Sequence, residues 1–249
     1  MLTEDRLNKI ISIVNQSGSV TTTELMNSLD SSESTIRRDL AVLDRQRRLV
    51  RVRGGAISVQ NTYSTRDNEV VLRRTLNTAA KELIASYAAD LIRDGDFVFI
   101  DAGTTTEYMI PHIHVRDAVF VTNGMTHAKL LSKAGYTVYV LGGEFKELTE
   151  AIVGEEAVRS LEKYHFTKGF FGVNGVDIES GYTTPEVKES LLKETAMKRT
   201  QTAYVLADDS KLGQIAAISF GQFDKAYVIT NKAPEGFVNY KNVMEVSKG

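Results

Sequence analysis

The sequence predicts a protein of the α/β class, with a small helical domain at the N-terminus and a larger domain built on a parallel β-sheet. Residues 1–58 carry helix-period apolar residues and nine Lys/Arg against seven Asp/Glu. Residues 60–68 are polar and show no apolar period. Beyond them, short apolar runs alternate with small-residue turns and helical patterns, which is typical of a parallel sheet flanked by helices. We therefore assign residues 1–59 to the first domain, 60–68 to a linker and 69–249 to the second domain.

Bulk composition narrows the class of protein. The 249 residues carry a formal net charge of −2 and no cysteine. Disulfides, thiolate metal sites and a cysteine nucleophile are therefore excluded, and a reducing cytoplasm is favoured. No apolar run approaches the length of a membrane span, and the first residues lack the pattern of a signal peptide. We expect a cytoplasmic protein that needs no membrane, metal or cofactor.

Short helices are predicted throughout the first domain. Residues 4–16 form the first, because apolar residues recur at helical spacing and Ser17-Gly18 follows. Thr22 or Thr23 is a suitable N-cap for a second helix. Asp30-Ser31-Ser32 predicts the turn and the N-cap before a third. The residues that these helices direct inward are Leu7, Ile10, Ile11, Val14, Leu25, Leu29, Ile36, Leu40 and Leu43.

Arginine is concentrated in the third helix and just after it. Between Ile36 and Ile57 there are seven arginines against two aspartates. Guanidinium groups suit phosphate contacts and the O6/N7 edge of guanine. Residues 49–59 alternate and then break at Gly54-Gly55, which predicts a hairpin, or wing. The arginines alone could merely solvate a helix face, but the helix pair before them and the basic wing after them favour DNA binding.

This layout is a winged helix-turn-helix, in which the second helix of the pair enters the major groove. The partner would be double-stranded operator DNA. A DNA-binding domain this small contacts few base pairs. We therefore expect two such domains to bind repeated half-sites, and hence a homo-oligomer. The predicted DNA-binding residues are Ser32, Ser34, Thr35, Arg37, Arg38, Arg45, Arg51 and Arg53.

The second domain begins with a long amphipathic helix, predicted over residues 69–93. Its first turns could carry motion to the DNA-binding domain or simply pack, and packing is the simpler interpretation. Continuously apolar runs then predict strands that are covered on both faces. These runs are residues 97–100, 119–121, 138–141, 168–171, 202–207 and 226–229.

Polar residues follow several of these strands. In parallel sheets, ligands bind beyond the carboxyl ends of the strands. Asp101-Ala102-Gly103-Thr104-Thr105-Thr106 combines a glycine, hydroxyls and a helix start, all of which suit an anion. The Gly-Lys-Ser/Thr ending of a nucleotide loop is missing, so a small phosphate ester fits better than ATP. A plain strand-to-helix turn with threonine caps is the alternative.

Other strand ends could complete this site. Lys211 directly follows a strand, and Lys193 lies on a helix whose capped start is predicted at residues 181–185. Either ammonium could bind a phosphate, although each lysine alone is more simply explained as a surface charge. Asn123 could bond sugar hydroxyls or cap the next helix. Gly143 belongs to a loop, residues 142–150, that either lines the mouth of the site or is simply solvated.

Motifs in both domains resemble one family. Residues 34–40, followed by Arg51-Val52-Arg53-Gly54-Gly55-Ala56, resemble the N-terminal signature of the DeoR family of bacterial transcription repressors. Residues 101–106, 122–124, 141–143, 172–175, 181–185 and 209–213 resemble its sensor domain, so the resemblance extends over nearly the whole chain. Arg53 and Asp209 stand where the family often has histidine.

The resemblance implies a Rossmann-like sensor domain similar to sugar-phosphate isomerases such as ribose-5-phosphate isomerase. It also implies a repressor of a sugar-uptake operon that leaves DNA when a phosphorylated sugar accumulates. Residues 142–154 are most similar to regulators of fructose or lactose phosphotransferase operons, so fructose 1-phosphate is the favoured effector and tagatose 6-phosphate the next. The predicted effector-binding residues are Asp101, Gly103, Thr104, Thr105, Thr106, Asn123, Gly143, Lys193 and Lys211.

An isomerase-like enzyme with an attached DNA-binding domain is the alternative function. Asp101, Asp208 or Asp209 could then act as a base beside Lys211. No spacing in the sequence pairs an acid with a base, and His112 and His114 are better explained as surface residues than as metal ligands. A repressor needs only different affinities in two states, so we expect no enzymatic activity.

Overall fold

The computed structural model describes residues 3–46, 48–52, 54–58 and 70–247. The chain divides into two units, residues 1–62 and 63–249, so the division falls within the predicted linker. Residues 60–68 themselves lie outside the described ranges. Within those ranges, none of the helices combines the length and apolar character that spanning a bilayer would require.

The N-terminal unit packs helices against a small antiparallel sheet. Its strands lie in the order β1-β3-β2. The first strand was not predicted, because three residues are too few to show a period. The elements are α1 (Thr3–Ser17), β1 (Ser19–Thr21), α2 (Thr22–Leu29), α3 (Glu33–Arg45), β2 (Leu49–Val52) and β3 (Gly55–Ser58).

The helix-turn-helix begins one residue earlier than expected. Thr21, not Thr22 or Thr23, caps α2, because β1 leaves Thr21 in an extended conformation. The Thr21 hydroxyl accepts from the Glu24 N–H at 3.1 Å, and the Glu24 carboxylate accepts from the Thr21 N–H at 2.7 Å. The predicted cap of α3 is confirmed, since Ser32 Oγ accepts from the Thr35 N–H at 3.4 Å.

The core of this unit follows the predicted helical stripes, with Ile10, Leu25, Ile36 and Leu40 among its buried residues. On β2 the buried residue is Leu49, whereas Val50 is exposed. Glycine is required at positions 54 and 55 for two different reasons. Gly54 has a φ of +92°, and a Cβ on Gly55 would lie 2.1 Å from the Val20 carbonyl oxygen.

A buried ion pair joins the first and third helices. Asp39 points inward from α3, and its carboxylate accepts from Arg6 Nε at 2.5 Å and from Arg6 Nη2 at 3.2 Å. These hydrogen bonds raise the pKa of Arg6. A carboxylate on a buried helix face needs such a partner, so this pair fixes α1 beneath the predicted recognition helix.

The C-terminal unit contains the larger sheet. Its elements are α4 (Val70–Thr75), α5 (Thr78–Ala89), β4 (Phe97–Ile100), α6 (Thr104–Met109), β5 (Val119–Thr122), α7 (Met125–Lys133), β6 (Thr137–Val140), β7 (Glu144–Lys146), β8 (Ala151–Val153), α8 (Glu155–Glu162), β9 (Phe166–Gly172), β10 (Gly175–Asp177), β11 (Gly181–Thr184), α9 (Val187–Lys198), β12 (Thr200–Leu206), β13 (Ile218–Gly221), β14 (Tyr227–Thr230) and β15 (Val243–Glu245). Short 3-10 turns lie at Ile110–His112, Glu147–Thr149, Asp209–Lys211 and Phe223–Lys225.

The predicted parallel sheet is confirmed. Its described strands lie in the order β15-β14-β12-β9-β4-β5-β6, and every neighbouring pair is parallel. Helices α5, α6 and α7 contribute to the core on one face. Helices α8 and α9, with a small antiparallel sheet β10-β11-β13, contribute to the core on the other. The carboxyl ends of the parallel strands therefore converge at one edge.

Three predictions for this unit are wrong. The helix expected over residues 69–93 is broken, because Asn77 adopts a left-handed conformation with φ of 51° and donates to Asp208 Oδ1 at 3.0 Å. Strand β6 is not covered on both faces, since it lies at the sheet edge with Tyr139 49% exposed. Residues 181–184 form strand β11 rather than a helix start, and α9 begins at Val187.

We predict that Asp39→Asn lowers the free energy of unfolding of the N-terminal unit by about 1.5–3 kcal/mol, the usual loss for charge-assisted hydrogen bonds. The measurement is hydrogen exchange of the slowest amides of α1 and α3. The control is Glu33→Gln, which removes an exposed ion pair with Arg37 on the same helix and should change little. Equal exchange in the two variants would contradict a stabilising role for Asp39.

Candidate functional site

Helix α3 presents a basic surface. Arg37, Arg38 and Arg45 are exposed, on the side away from the buried apolar stripe. Arg37 Nη2 lies 2.6 Å from Glu33 Oε1, and both side chains are more than half exposed, with 63% and 54% of their surface accessible. An ion pair of this kind costs little to exchange for a phosphate contact. Arg45 Nε donates to the Ala41 carbonyl at 3.2 Å.

Hydroxyl groups gather at the start of the same helix. Ser32 Oγ lies 3.1 Å from Ser34 Oγ and 2.9 Å from Thr35 Oγ1. Hydroxyls at a helix start are suitable donors to a DNA phosphate. Arg51 is exposed on β2, and its backbone N–H donates to Asp44 Oδ1 at 2.9 Å, which ties the wing to α3. Arg53 lies outside the described residues.

A second cluster lies at the carboxyl edge of the parallel sheet. Asp101 follows β4 and is fully buried, with an ion pair to Lys193 on α9. The Asp101 carboxylate also accepts from the Gly172 N–H at 3.0 Å, and Lys193 Nζ donates to the Gly172 carbonyl at 3.1 Å. Burial raises the pKa of Asp101, and the Lys193 ammonium and the Gly172 N–H oppose that rise. The structure thus brings two of the predicted effector residues together, but as partners of each other.

Two further predicted residues shape the loop between β4 and α6. Asn123 Oδ1 accepts from the Ala102 N–H at 2.8 Å, and its Nδ2 donates to the Ile152 carbonyl at 3.4 Å. Thr106 Oγ1 lies 2.6 Å from the Asp101 carbonyl oxygen and 3.0 Å from His127 Nε2. Burial lowers the pKa of His127 to about 4, so its ring is neutral. The described hydrogen bonds of Asn123 and Thr106 therefore support this loop, and the N-cap of α7 is Gly124.

Lys81 is a candidate anion-binding residue that the sequence pattern does not reveal. It lies on α5, is only 4% exposed, and donates from Nζ to Thr104 Oγ1 at 2.9 Å and to the Arg73 carbonyl. Burial lowers its pKa to about 8; Asp208 and Glu107 act to raise it, and Lys211 and Arg73 to lower it further. A lysine in an amphipathic helix pattern is normally solvated, so nothing in the spacing marked it. A buried ammonium beside a threonine-rich loop is suited to bind an anion.

The remaining predicted residues divide between this cluster and another surface. Gly103 forms the N-cap of α6, and a Cβ there would lie 3.6 Å from the Gly172 Cα. Thr104 and Thr105 are buried, 7% and 9% exposed. Lys211 is half-buried and close enough to affect Lys81.

Gly143 is not brought to this cluster. It lines an open cleft of about 760 Å³ beside α8. Another open cleft, of about 390 Å³, includes Phe166 and Thr200, the first residues of β9 and β12. Lys81, Asp101 and Lys193 line neither cleft.

Two family models match this chain. A DeoR-like helix-turn-helix domain matches residues 6–62, and the DeoR C-terminal sensor domain matches residues 76–232. The chain belongs to the DeoR family. A relative in Bacillus subtilis strain 168, the HTH-type transcriptional regulator FruR, is 41% identical over 252 residues, which is 100% of each chain. The lactose phosphotransferase system repressor of Staphylococcus aureus NCTC 8325 is 33% identical over 247 residues, 97% of this DeoR-family chain and 98% of the relative.

Two solved structures resemble parts of this DeoR-family chain at low identity. Ribose 5-phosphate isomerase A from Neisseria gonorrhoeae has a TM-score of 0.41 at 14% identity, with 54% of this chain and 53% of that chain covered. Translation initiation factor eIF-2B from Pyrococcus horikoshii has a TM-score of 0.43 at 14% identity, with 86% and 72% covered.

We predict that Lys193→Met destabilises the C-terminal unit by about 3–5 kcal/mol, because it leaves the Asp101 carboxylate buried without its cation. The double variant Asp101→Asn/Lys193→Met should recover at least half of that loss. Urea unfolding followed by circular dichroism measures both. Lys198→Met, at an exposed ion pair on the same helix, is the control. Strictly additive losses in the double variant would show that the two groups do not interact.

Proposed function

We propose that this protein represses a sugar uptake operon by binding operator DNA through α3 and the wing, and that a phosphorylated sugar bound at the sheet edge releases it. The observation that carries the second half is the buried Lys81 ammonium against Thr104. The protein would act in the cytoplasm as a homo-oligomer, because each recognition helix covers one half-site.

The DNA-binding half of the proposal rests on the placement of charge. Arg38 and Arg45 extend from α3 away from the core, while Ser32 and Ser34 offer hydroxyls where that helix begins. Arginine reads guanine in the major groove, and hydroxyls and the wing contact phosphates. Arg6 and Asp39 bind each other inside the unit, so their charges do not contribute to DNA binding.

The residues predicted to bind the effector have different roles in this proposal. We infer that Lys81, Thr104, Thr105 and Lys211 contact the phosphate, since two ammonium groups and adjacent hydroxyls form a strong anion site. The Asp101–Lys193 pair would face the sugar and accept or donate hydrogen bonds to its hydroxyls, with Gly103 allowing close approach of the backbone. Asn123 and Thr106 would support the loop, and Gly143 would lie outside the site.

Fructose 1-phosphate is our preferred effector and tagatose 6-phosphate the second. The support is the similarity to a relative named FruR and, at lower identity, to lactose phosphotransferase system repressors. An isomerase activity is the alternative that the raised pKa of Asp101 would suit. We favour binding without turnover, because the Asp101 carboxylate is already held by Lys193 and the Gly172 N–H.

For DNA binding, we predict that Arg37→Ala and Arg38→Ala each weaken binding to a duplex that the protein selects from a random pool. The expected loss is about 1–3 kcal/mol, with a smaller salt dependence where a phosphate contact is removed. Fluorescence anisotropy at several salt concentrations measures it. Arg116→Ala, an exposed arginine of the C-terminal unit, controls for loss of charge. Unchanged affinity in both α3 variants would reject α3 as the recognition helix.

For the effector, we predict that the affinity for fructose 1-phosphate falls by about tenfold between pH 7 and pH 9. In the free protein the pKa of Lys81 is about 8. A bound phosphate dianion favours the ammonium and raises that pKa, so binding above pH 8 must take up a proton. The affinity is therefore highest below that pH and declines above it. Isothermal titration calorimetry in two buffers reports both the affinity and the proton uptake.

The matched variant for this experiment is Lys81→Arg, which stays charged over the whole range. It should bind with little pH dependence. A wild-type affinity that does not change with pH, or a decline that Lys81→Arg reproduces, would exclude Lys81 as the phosphate ligand.

A further inference from the structure

Side-chain contacts hold helix α4 against helix α6. Arg74 Nη2 lies 2.9 Å from Glu107 Oε2, and Arg74 Nε donates to the same oxygen at 3.1 Å. The hydroxyl of Tyr108, the next residue of α6, donates to the Arg74 carbonyl at 3.3 Å. One helical turn of α4 is thus attached to the helix whose first residues are Thr104 and Thr105.

Arg74 reaches a second carboxylate on the other side. Its Nη2 lies 2.8 Å from Glu150 Oε2, which also accepts from Thr126 Oγ1 at 2.7 Å. Burial opposes the charge of Arg74, but the hydrogen bonds to Glu150 and Glu107 outweigh it and raise the pKa of Arg74. The Arg74 side chain is 30% exposed, so solvent weakens this network.

Lys81 links α4 to the proposed phosphate site. Its ammonium donates both to Thr104 Oγ1 and to the carbonyl of Arg73, in the last turn of α4. An ammonium has three N–H groups, and these two acceptors occupy two of them. A phosphate that accepts more than one N–H of Lys81 therefore competes with the Arg73 carbonyl for donors. Carbonyls in the last turn of a helix have no partner within the helix. Losing Lys81 would therefore weaken the attachment of α4.

The proposed phosphate contacts are almost closed to solvent. Thr104 and Thr105 are 7% and 9% exposed, and Lys81 is 4% exposed, although an effector has to reach them. A segment that covers these three side chains must therefore move before an effector can bind. α4 is the segment that shares Lys81 with Thr104 and is held by side-chain contacts rather than by strand pairing.

We propose that α4 is a strap closed over the effector site, latched by Arg74 to Glu107 and Glu150, and that the effector opens it by taking Lys81 from Arg73. This inference rests on the proposed function, because it assumes that the anion binds at Lys81 and Thr104. α4 is also the first described element after residues 59–69, which connect it to the DNA-binding unit.

The absence of cysteine from the chain allows a test without any effector. Thr105→Cys places one thiol beneath the strap, and its rate of reaction with a negatively charged methanethiosulfonate reports opening. Adding Arg74→Gln should speed labelling by about fivefold or more, the population change expected when a partly exposed ion-pair network is lost. Glu150→Gln breaks the same latch from the other side and must also speed it.

Arg159→Gln removes an exposed ion pair with Glu156 on α8 and should leave labelling unchanged. Melting temperatures of all variants verify that labelling reports local opening and not unfolding. Equal labelling rates in the parent, Arg74→Gln and Glu150→Gln proteins would overturn the latch, whatever the effector is.

The second arm uses fructose 1-phosphate with the wild-type protein. Saturating ligand should speed hydrogen exchange of the α4 amides while those of α9 stay protected. Slower exchange in α4 would overturn the strap, because the helix would then close on the ligand. If fructose 1-phosphate changes neither exchange nor melting temperature, the effector assignment fails, and the labelling experiment alone decides the latch.

Discussion

Buried charge is the constraint on which the candidate effector site depends. At the carboxyl edge of the parallel sheet, Asp101 is paired with Lys193, and Lys81 contacts Thr104 of the loop that follows Asp101. Each of the three charged side chains is at most 5% exposed. A charge in such a place must be neutralised or hydrogen-bonded, or the fold loses several kcal/mol. Asp101 and Lys193 satisfy each other, whereas Lys81 is met by a hydroxyl and a carbonyl. The ammonium of Lys81, whose described hydrogen bonds go to neutral acceptors, is the group best placed to bind an incoming anion.

The N-terminal unit follows the same division between structural and functional charge. Arg6 and Asp39 form a pair inside the unit, so their charges hold α1 against α3. Arg38 stands on the opposite side of the same helix, in solvent. Charged residues of one type therefore have different roles that depend on which face of the helix carries them, and the helical period assigns the face.

Much of the architecture could be predicted from the sequence. The stripe of Ile36 and Leu40 located α3, and the apolar runs located the parallel strands, because burial imposes those periods directly. The run of threonines after β4 located the sheet edge where polar residues meet. The family resemblance extended the interpretation to function, and the two family matches confirm the family.

The errors have physical causes that a local pattern does not contain. Asn77 breaks a helix whose apolar spacing is otherwise unbroken, and its partner Asp208 is 131 residues away. Strand β6, which contains Tyr139, has the apolar composition of a central strand but lies at the edge of the sheet. Its position depends on strand order, which a local pattern does not show. Lys81 has the spacing of a solvated helix residue, and only the tertiary contact with Thr104 shows that it is buried. Asp101 and Lys193 remain predicted effector contacts, but their mutual ion pair becomes visible only in three dimensions.

The central claim is that a sugar phosphate held at Lys81 decides whether the protein remains on DNA. The most direct measurement is the anisotropy of a fluorescent operator duplex with bound protein, titrated with fructose 1-phosphate and, in parallel, with fructose. The account predicts that only the phosphorylated sugar releases the duplex, and that Lys81→Met protein binds the duplex normally but is not released. Release by unphosphorylated fructose, or normal release of Lys81→Met by fructose 1-phosphate, would contradict it.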